Sequence, residues 1–184
     1  MTKILSVLIF LGVLAGCQEE AKTPQPIELT RSSNGHYCNM IIVDHPGPKA
    51  QVFEKSSKDP LWFSSVRDAI SYMRMPGEAQ NVTAIYVHDM ARAEIWDKPP
   101  NNGIWIDARK AFYVIESEKR GGMGAKETVP FMTREQADKF AGKFGGRIFT
   151  YEDLPIGYIV ADDHLATDDD PHKEHKHNHK QPDS

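Results

Sequence analysis

The chain is predicted to be an α+β protein made of two tandem strand-strand-helix-strand subdomains, with a disordered tether before them and a disordered tail after them. Three observations predict this. Two segments with apolar residues at helical spacing each follow β-rich apolar runs and precede another such run. Both are introduced alike, by Phe63-Ser64-Ser65 and by Phe131-Met132-Thr133. Outside residues 31–161 apolar content falls too low for burial to offset the entropy of ordering, apart from one run at the N-terminus.

That run is a processing segment. Lys3 supplies the charged start, Ile4 to Ala15 the apolar core, and Leu14-Ala15-Gly16-Cys17 a lipobox. It is shorter than the about 20 residues a bilayer-spanning helix needs. Residues 1–16 are therefore expected to be removed, and Cys17 to become an acylated first residue whose several chains give a stable membrane anchor. Gln18 in the next position, rather than Asp, leans toward outer-membrane sorting in a Gram-negative cell. Residues 17–30, polar and carrying Pro24 and Pro26, read as a lipidated tether.

The first subdomain is expected over 31–98. Ala50 to Phe53 and Leu61 to Phe63 read as short strands, and Ser64 or Ser65 caps a helix bearing Val66, Ile70 and Met73 on one face. Pro76-Gly77 ends it, and Thr83 to Val87 follows as a strand. The second subdomain is expected over 99–161, after the loop of residues 97–103. Trp105 to Ala108 and Ala111 to Glu116 read as its two strands, and Val129-Pro130-Phe131 leads to Thr133, with Gln136 placed for a capping box. Its helix carries Ala137, Phe140 and Phe144, stops at Gly145-Gly146, and gives way to a strand from Arg147 to Tyr151. Residues 162–184 form the tail.

Composition excludes several classes. With 22 Lys and Arg against 26 Asp and Glu, the net charge is −4, and one more negative without Lys3, so no basic field exists to hold nucleic acid. Two cysteines, one of them lipidated, exclude an intramolecular disulfide framework. No phosphate-binding glycine loop or serine-nucleophile signature is present.

Cys38 is then the one thiol of the folded body, in a compartment where a bare thiol oxidises unless it is buried or occupied. Met40 lies two residues on, on the same face if the segment is extended. Thiolate and thioether are soft donors and select Cu(I), although a small buried Cys beside a core Met is the plainer alternative. Met123, between glycines in Gly121-Gly122-Met123-Gly124, is poorly placed for a core residue and precedes the second subdomain's helix much as Cys38 and Met40 precede the first. Sulfur from both halves is thus expected to meet in a shared cleft. Among the imidazoles, His36 and His45 sit in expected turns, and His88 ends a strand beside Asp89. His172, His175, His177 and His179 are dense enough to collect Cu(II), zinc or nickel but too mobile for a fixed geometry, and His164 lies apart. Two other functions stay open: a thiol-dependent enzyme, either an organometal lyase or an oxidoreductase, and a periplasmic zinc or nickel buffer acting through the tail. A single thiol counts against both enzymes.

The lipobox, Tyr37-Cys38-Asn39-Met40-Ile41, Asp44-His45-Pro46 with Ala50-Gln51, Tyr86-Val87-His88-Asp89, Asp107-Ala108 with Ala111, Gly122-Met123-Gly124 with Pro130-Phe131, and Gly145-Gly146-Arg147 together resemble the NosL family, accessory lipoproteins of nitrous oxide reductase assembly. The likeness covers about residues 36–155. Asn39 stands where that family has Gly. The resemblance implies a periplasm-facing Cu(I) metallochaperone, with a topology shared with organomercurial lyase. It implies Cys38 and Met40 as ligands from the first subdomain, Met123 from the second, and His88 as a less certain one. It further implies delivery to a membrane ABC-type assembly complex with a periplasmic solenoid protein, for the copper-sulfide centre of the reductase.

Overall fold

A computed structural model of the chain describes residues 23–160. The lipobox with Cys17, and the tail with its histidines, lie outside them. Seven strands form two antiparallel sheets. The first contains β1 (Ala50–Glu54), β2 (Leu61–Phe63), β3 (Val82–His88) and β4 (Trp105–Asp107) in the order β2-β1-β3-β4. The second contains β5 (Phe112–Ile115), β6 (Val129–Phe131) and β7 (Arg147–Thr150) in the order β6-β5-β7. Helix α1 (Val66–Arg74) joins β2 to β3, α2 (Arg134–Phe144) joins β6 to β7, and α3 (Ile156–Ile159) closes the described chain. The duplicated strand-strand-helix-strand pattern is therefore present, with the same strand order in each half. Among the described residues no helix is long and apolar enough to cross a membrane.

One assignment is corrected. Trp105 to Ala108, expected as the first strand of the second subdomain, pairs antiparallel with β3, Trp105 opposite His88 and Asp107 opposite Tyr86. The division expected between residues 98 and 99 thus falls before the last strand of the first sheet. The second repeat instead uses Phe112–Ile115 and Val129–Phe131 as its paired strands. A three-residue strand carries no local record of its partner, and Ile106 is drawn to the first sheet because its side chain completes that sheet's core.

The local elements follow their sequence devices. Ser65 caps α1 by accepting from Asp68 N, and the helix ends at Met75, whose ψ of 137° is what a residue before proline adopts. Val66, Ile70 and Met73 are all buried on its inner face, each contributing about 1.5–3 kcal/mol of apolar burial. Thr133 and Gln136 complete the capping box of α2. That helix ends at Gly145, with φ 70° and ψ −174°, a region essentially reserved for glycine. Pro130 is accommodated because β6 is an edge strand.

A single core joins the two halves. Ala50, Val52, Phe63, Ile85, Val87 and Ile106 from the first sheet pack with α1 and with Tyr113 and Ile115 of β5, Tyr151, Leu154 and Ile159. Val114 faces the other way, with Val129, Phe131 and Ala137 beneath α2. The outer face of the first sheet carries Trp62, Gln51, Tyr86 and Trp105, and residues 23–30 lie across it. These residues, expected as free tether, have no regular structure but are fastened at several points. Tyr86 OH donates to Pro24 O at 2.7 Å, and the buried Gln51 side chain pairs with both N and O of Ile27 at 3.0 and 3.1 Å. Leu29 N donates to Asn101 O at 3.1 Å, and the Leu29 side chain packs against Ile42 and Trp62.

Candidate metal centre

The segment bearing Cys38 and Met40 is a closed loop and not an extended strand. Asn34 and Ile41 form an antiparallel bridge, Gly35 N donates to Met40 O at 2.9 Å, and Asn39 N donates back to Gly35 O at 2.8 Å. The turn requires φ of 54° at Asn39. Asparagine is among the few side-chain-bearing residues that adopt this left-handed conformation, so it closes the turn where most residues would be strained. Gly35 is the loop's close approach: a Cβ there would lie 2.5 Å from Cys38 Sγ. The loop thereby presents a half-buried thiol beside Met40, whose side chain is 40% exposed.

Cys38 Sγ lies 4.0 Å from Ser64 Oγ, at the mouth of α1. The carbonyl of the same serine is the seat of the other sulfur-bearing loop, since a Cβ on Gly122 would stand 3.1 Å from Ser64 O and 2.8 Å from His45 Cβ. His45 Nδ1 is 3.0 Å from Gly122 O, a distance at which a protonated Nδ1 donates to that carbonyl. The loop closes on itself through Gly121 N to Ala125 O and Gly124 N to Gly121 O, at 3.0 and 2.9 Å. Met123 at its tip is 55% exposed. Ser64 and His45 of the first half thus hold the Met123 loop against the residue that faces Cys38, so loops 85 residues apart in sequence share one neighbourhood.

Two buried ionisable side chains, Glu127 and Lys49, stand behind this seat. Glu127 is fully buried, and its Oε1 accepts from Ser65 Oγ at 3.2 Å, Arg67 N at 3.1 Å and Thr128 N at 2.8 Å. The carboxylate thereby stands at the positive N-terminus of α1, tying the approach to β6 onto the first half. Burial nevertheless raises its pKa to about 7, against the lowering effect of the backbone donors. Lys49 is also buried and donates to Pro46 O at 2.9 Å; burial lowers its pKa to about 8, with Glu127 acting in the opposite sense. Gly121 passes against Glu127, whose Oε2 a Cβ there would strike.

The expected imidazoles are distributed differently. His36 packs in an aromatic group with Tyr37, Phe63 and Tyr72 at ring separations of 5.1 to 5.6 Å. His45 serves the Met123 loop, as described. His88 is fully buried, its ring 4.0 Å from that of Trp105, and neither nitrogen has a hydrogen-bond partner among the described residues. Burial, and secondarily the charge of Lys49, lowers its pKa to about 3, so the ring is neutral. Its ring neighbour Trp105 packs against the same Leu29, Ile42 and Trp62 group as Cys38. Among the described residues no three His, Cys, Asp or Glu side chains converge as a metal-holding group. What the fold does bring to one residue is the Cys38 thiol, at the Ser64 hydroxyl, and the Met123 loop, at the Ser64 carbonyl.

The sequence placed Ser64 only as a candidate helix cap and His45 in a turn, and did not single out Lys49 or Glu127. The signals were present but faint: an acid directly before the apolar Thr128-Val129 run, and a lysine directly before β1. Neither discloses its partner, which is remote along the chain.

Residues 26–159 match the NosL family profile. The chain is 45% identical over 163 residues to the copper-binding lipoprotein NosL of Achromobacter cycloclastes, covering 86% of this chain and 84% of that one. It is 36% identical over 154 residues to the copper-binding lipoprotein NosL of Stutzerimonas stutzeri, covering 82% and 78%. The crystal structure of the copper chaperone NosL from Shewanella denitrificans superimposes with a TM-score of 0.66 at 31% identity, over 71% of this chain and 96% of that one. A family profile that spans residues 26–159, with relatives at 45% and 36% identity over most of both chains, settles the membership: the protein belongs to the NosL family.

Proposed function

We propose that this protein is a lipid-anchored, periplasm-facing Cu(I) metallochaperone, held by acylated Cys17, in which Cys38, Met40 and Met123 take up the ion as cargo. In this reading the outer membrane carries the anchor. The recipient is a membrane ABC-type assembly complex with a periplasmic solenoid protein, and the final client is the copper-sulfide centre of nitrous oxide reductase. The observation that carries the reading is the meeting of the Cys38 and Met123 loops on the two sides of Ser64. One thiolate supplies charge and affinity, and thioethers complete a soft shell without the further negative charge that would slow release. The exposure of Met40 and Met123 leaves the ion open to an incoming ligand from a recipient. His88, whose two ring nitrogens have no hydrogen-bond partner among the described residues, is the further, less certain donor. His172, His175, His177 and His179 are assigned to a weak, secondary collecting arm for Cu(II) or zinc.

The test is anaerobic Cu(I) titration of the soluble protein lacking residues 1–17, with X-ray absorption to count sulfur neighbours. About one Cu(I) with at least two sulfur neighbours is expected, since soft donors select this ion. Cys38→Ala should weaken binding far more than Met40→Ala, and deletion of residues 165–184 should leave the Cu(I) site intact. An all-nitrogen shell, or equal small losses in the two variants, would defeat the proposal. In cells, loss of Cys38 should yield exported reductase deficient in its copper-sulfide centre at limiting copper.

A further inference from the structure

The tether that should let the body roam is largely spent inside the fold. Only seven residue steps separate Cys17 from Pro24, whose carbonyl is held by Tyr86. Fully extended they reach about 25 Å, whatever path they take. A compact body of the described length has a radius of gyration of about 14 Å, hence a diameter of roughly 37 Å. The side opposite Pro24 can therefore never touch the surface in which Cys17 is embedded. Thr23, where the described chain starts, shares a shallow hollow with Thr83, Tyr86, Asp107 and Arg109. Beside it the turn Ala108–Lys110 projects two exposed basic side chains, Arg109 and Lys110, the latter 3.7 Å from Asp107.

We infer that the corner formed by the start of the residue 23–30 strap and the Ala108–Lys110 turn is the face this protein turns to the phospholipid surface, with Arg109 and Lys110 set against anionic headgroups. The short leash confines the body, and the basic pair selects the corner within the confined range; a juxtamembrane Lys or Arg contributes about 1 kcal/mol at an anionic surface. From this corner the strap runs across the outer sheet face to Leu29, which packs on the Ile42 and Trp62 group that also receives Cys38. The metal centre thus lies at the end of the strap remote from the anchor, and is presented sideways to a neighbour in the same membrane.

The inference rests on the acylation of Cys17 proposed for this chain, and the experiment separates the two. Full-length acylated protein is placed in nanodiscs of zwitterionic and anionic phospholipid, some lipids bearing a headgroup gadolinium chelate, and relaxation enhancement is read at each backbone amide. Intact mass reports the acyl chains. Enhancement should be several-fold greater at Tyr86, Arg109 and Lys110 than at Leu29 and Cys38. Inserting about ten Gly and Ser residues between Glu20 and Ala21 should level the pattern without releasing the protein, because such a linker at least doubles the reach. Arg109→Glu with Lys110→Glu should weaken the pattern in anionic discs and leave it unchanged in zwitterionic ones. Acylated protein with uniform enhancement, or enhancement centred on another face, overturns the inference alone; absence of acyl chains on Cys17 overturns both it and the anchor reading.

Discussion

Gly122→Ala isolates the contribution of the second-half loop to the metal centre. The added Cβ would lie 2.8 Å from His45 Cβ and 3.1 Å from Ser64 O. Carbon atoms in contact settle at about 3.5–4.0 Å, so roughly 1 Å of movement is required. Neither neighbour yields easily: one is the first side-chain atom of a residue pinned through its ring, and the other is backbone at the start of α1. The loop therefore lifts, losing the His45 to Gly122 hydrogen bond, worth about 1 kcal/mol net, on top of an overpacking cost of about 1–3 kcal/mol. A destabilisation of roughly 2–4 kcal/mol follows, a fall of about 4–16 °C in midpoint for a chain of this size. Displacing Met123 should also weaken Cu(I) binding by at least about tenfold, or 1.4 kcal/mol, and remove one sulfur neighbour. Thermal unfolding, Cu(I) competition titration and X-ray absorption read these effects, with Met123→Ala as reference. The reasoning is refuted if the midpoint drops as stated while affinity and sulfur count stay at the wild-type values. An unchanged midpoint would refute the packing argument itself.

His45→Asn should keep most of the Cu(I) affinity that His45→Ala loses, because an amide N–H can stand near the Nδ1 position and still donate to Gly122 O; the same titration decides it. Gly142 lies within α2 with nothing within 4 Å of a Cβ, so Gly142→Ala should raise stability by about 0.5–1 kcal/mol in denaturant unfolding and leave copper binding alone. His88 has a folded pKa lowered to about 3 against about 6.5 unfolded, so its contribution is present above pH 6.5 and is lost as pH falls toward 3. His88→Phe, which keeps a ring against Trp105, should remove this pH dependence, so that wild type loses stability relative to the variant as pH falls through that window, as followed by denaturant midpoints at successive pH values. Thr133→Ala removes the α2 cap and should cost about 1 kcal/mol without changing Cu(I) affinity.

The sequence by itself determined the elements whose causes lie within a few residues. Ser65 and Thr133 announced their helices because a cap is an interaction over three positions. Met75 ended α1 because Pro76 forbids its helical conformation, and Gly145 ended α2 because few other residues accept its φ. The soft donors were legible too, since a lone Cys with a nearby Met is a matter of side-chain chemistry. Tertiary structure alone decided what each element joins. Trp105–Asp107 goes to the first sheet because Ile106 fills a core assembled from distant strands. Cys38 and Met40 sit on a closed turn with Asn39 at positive φ, a shape that depends on Gly35 admitting the sulfur and on Trp62 pairing with the loop. The strap is bound because Gln51 and Tyr86 present polar groups that a sequence reading leaves unpartnered. Likewise Glu127 meets the N-terminus of α1, and His45 meets Gly122, across 60 and 77 positions. Local propensity acts over a turn of chain, whereas seating loops from two halves on one serine depends on contacts whose loop-closure cost only the whole core can offset.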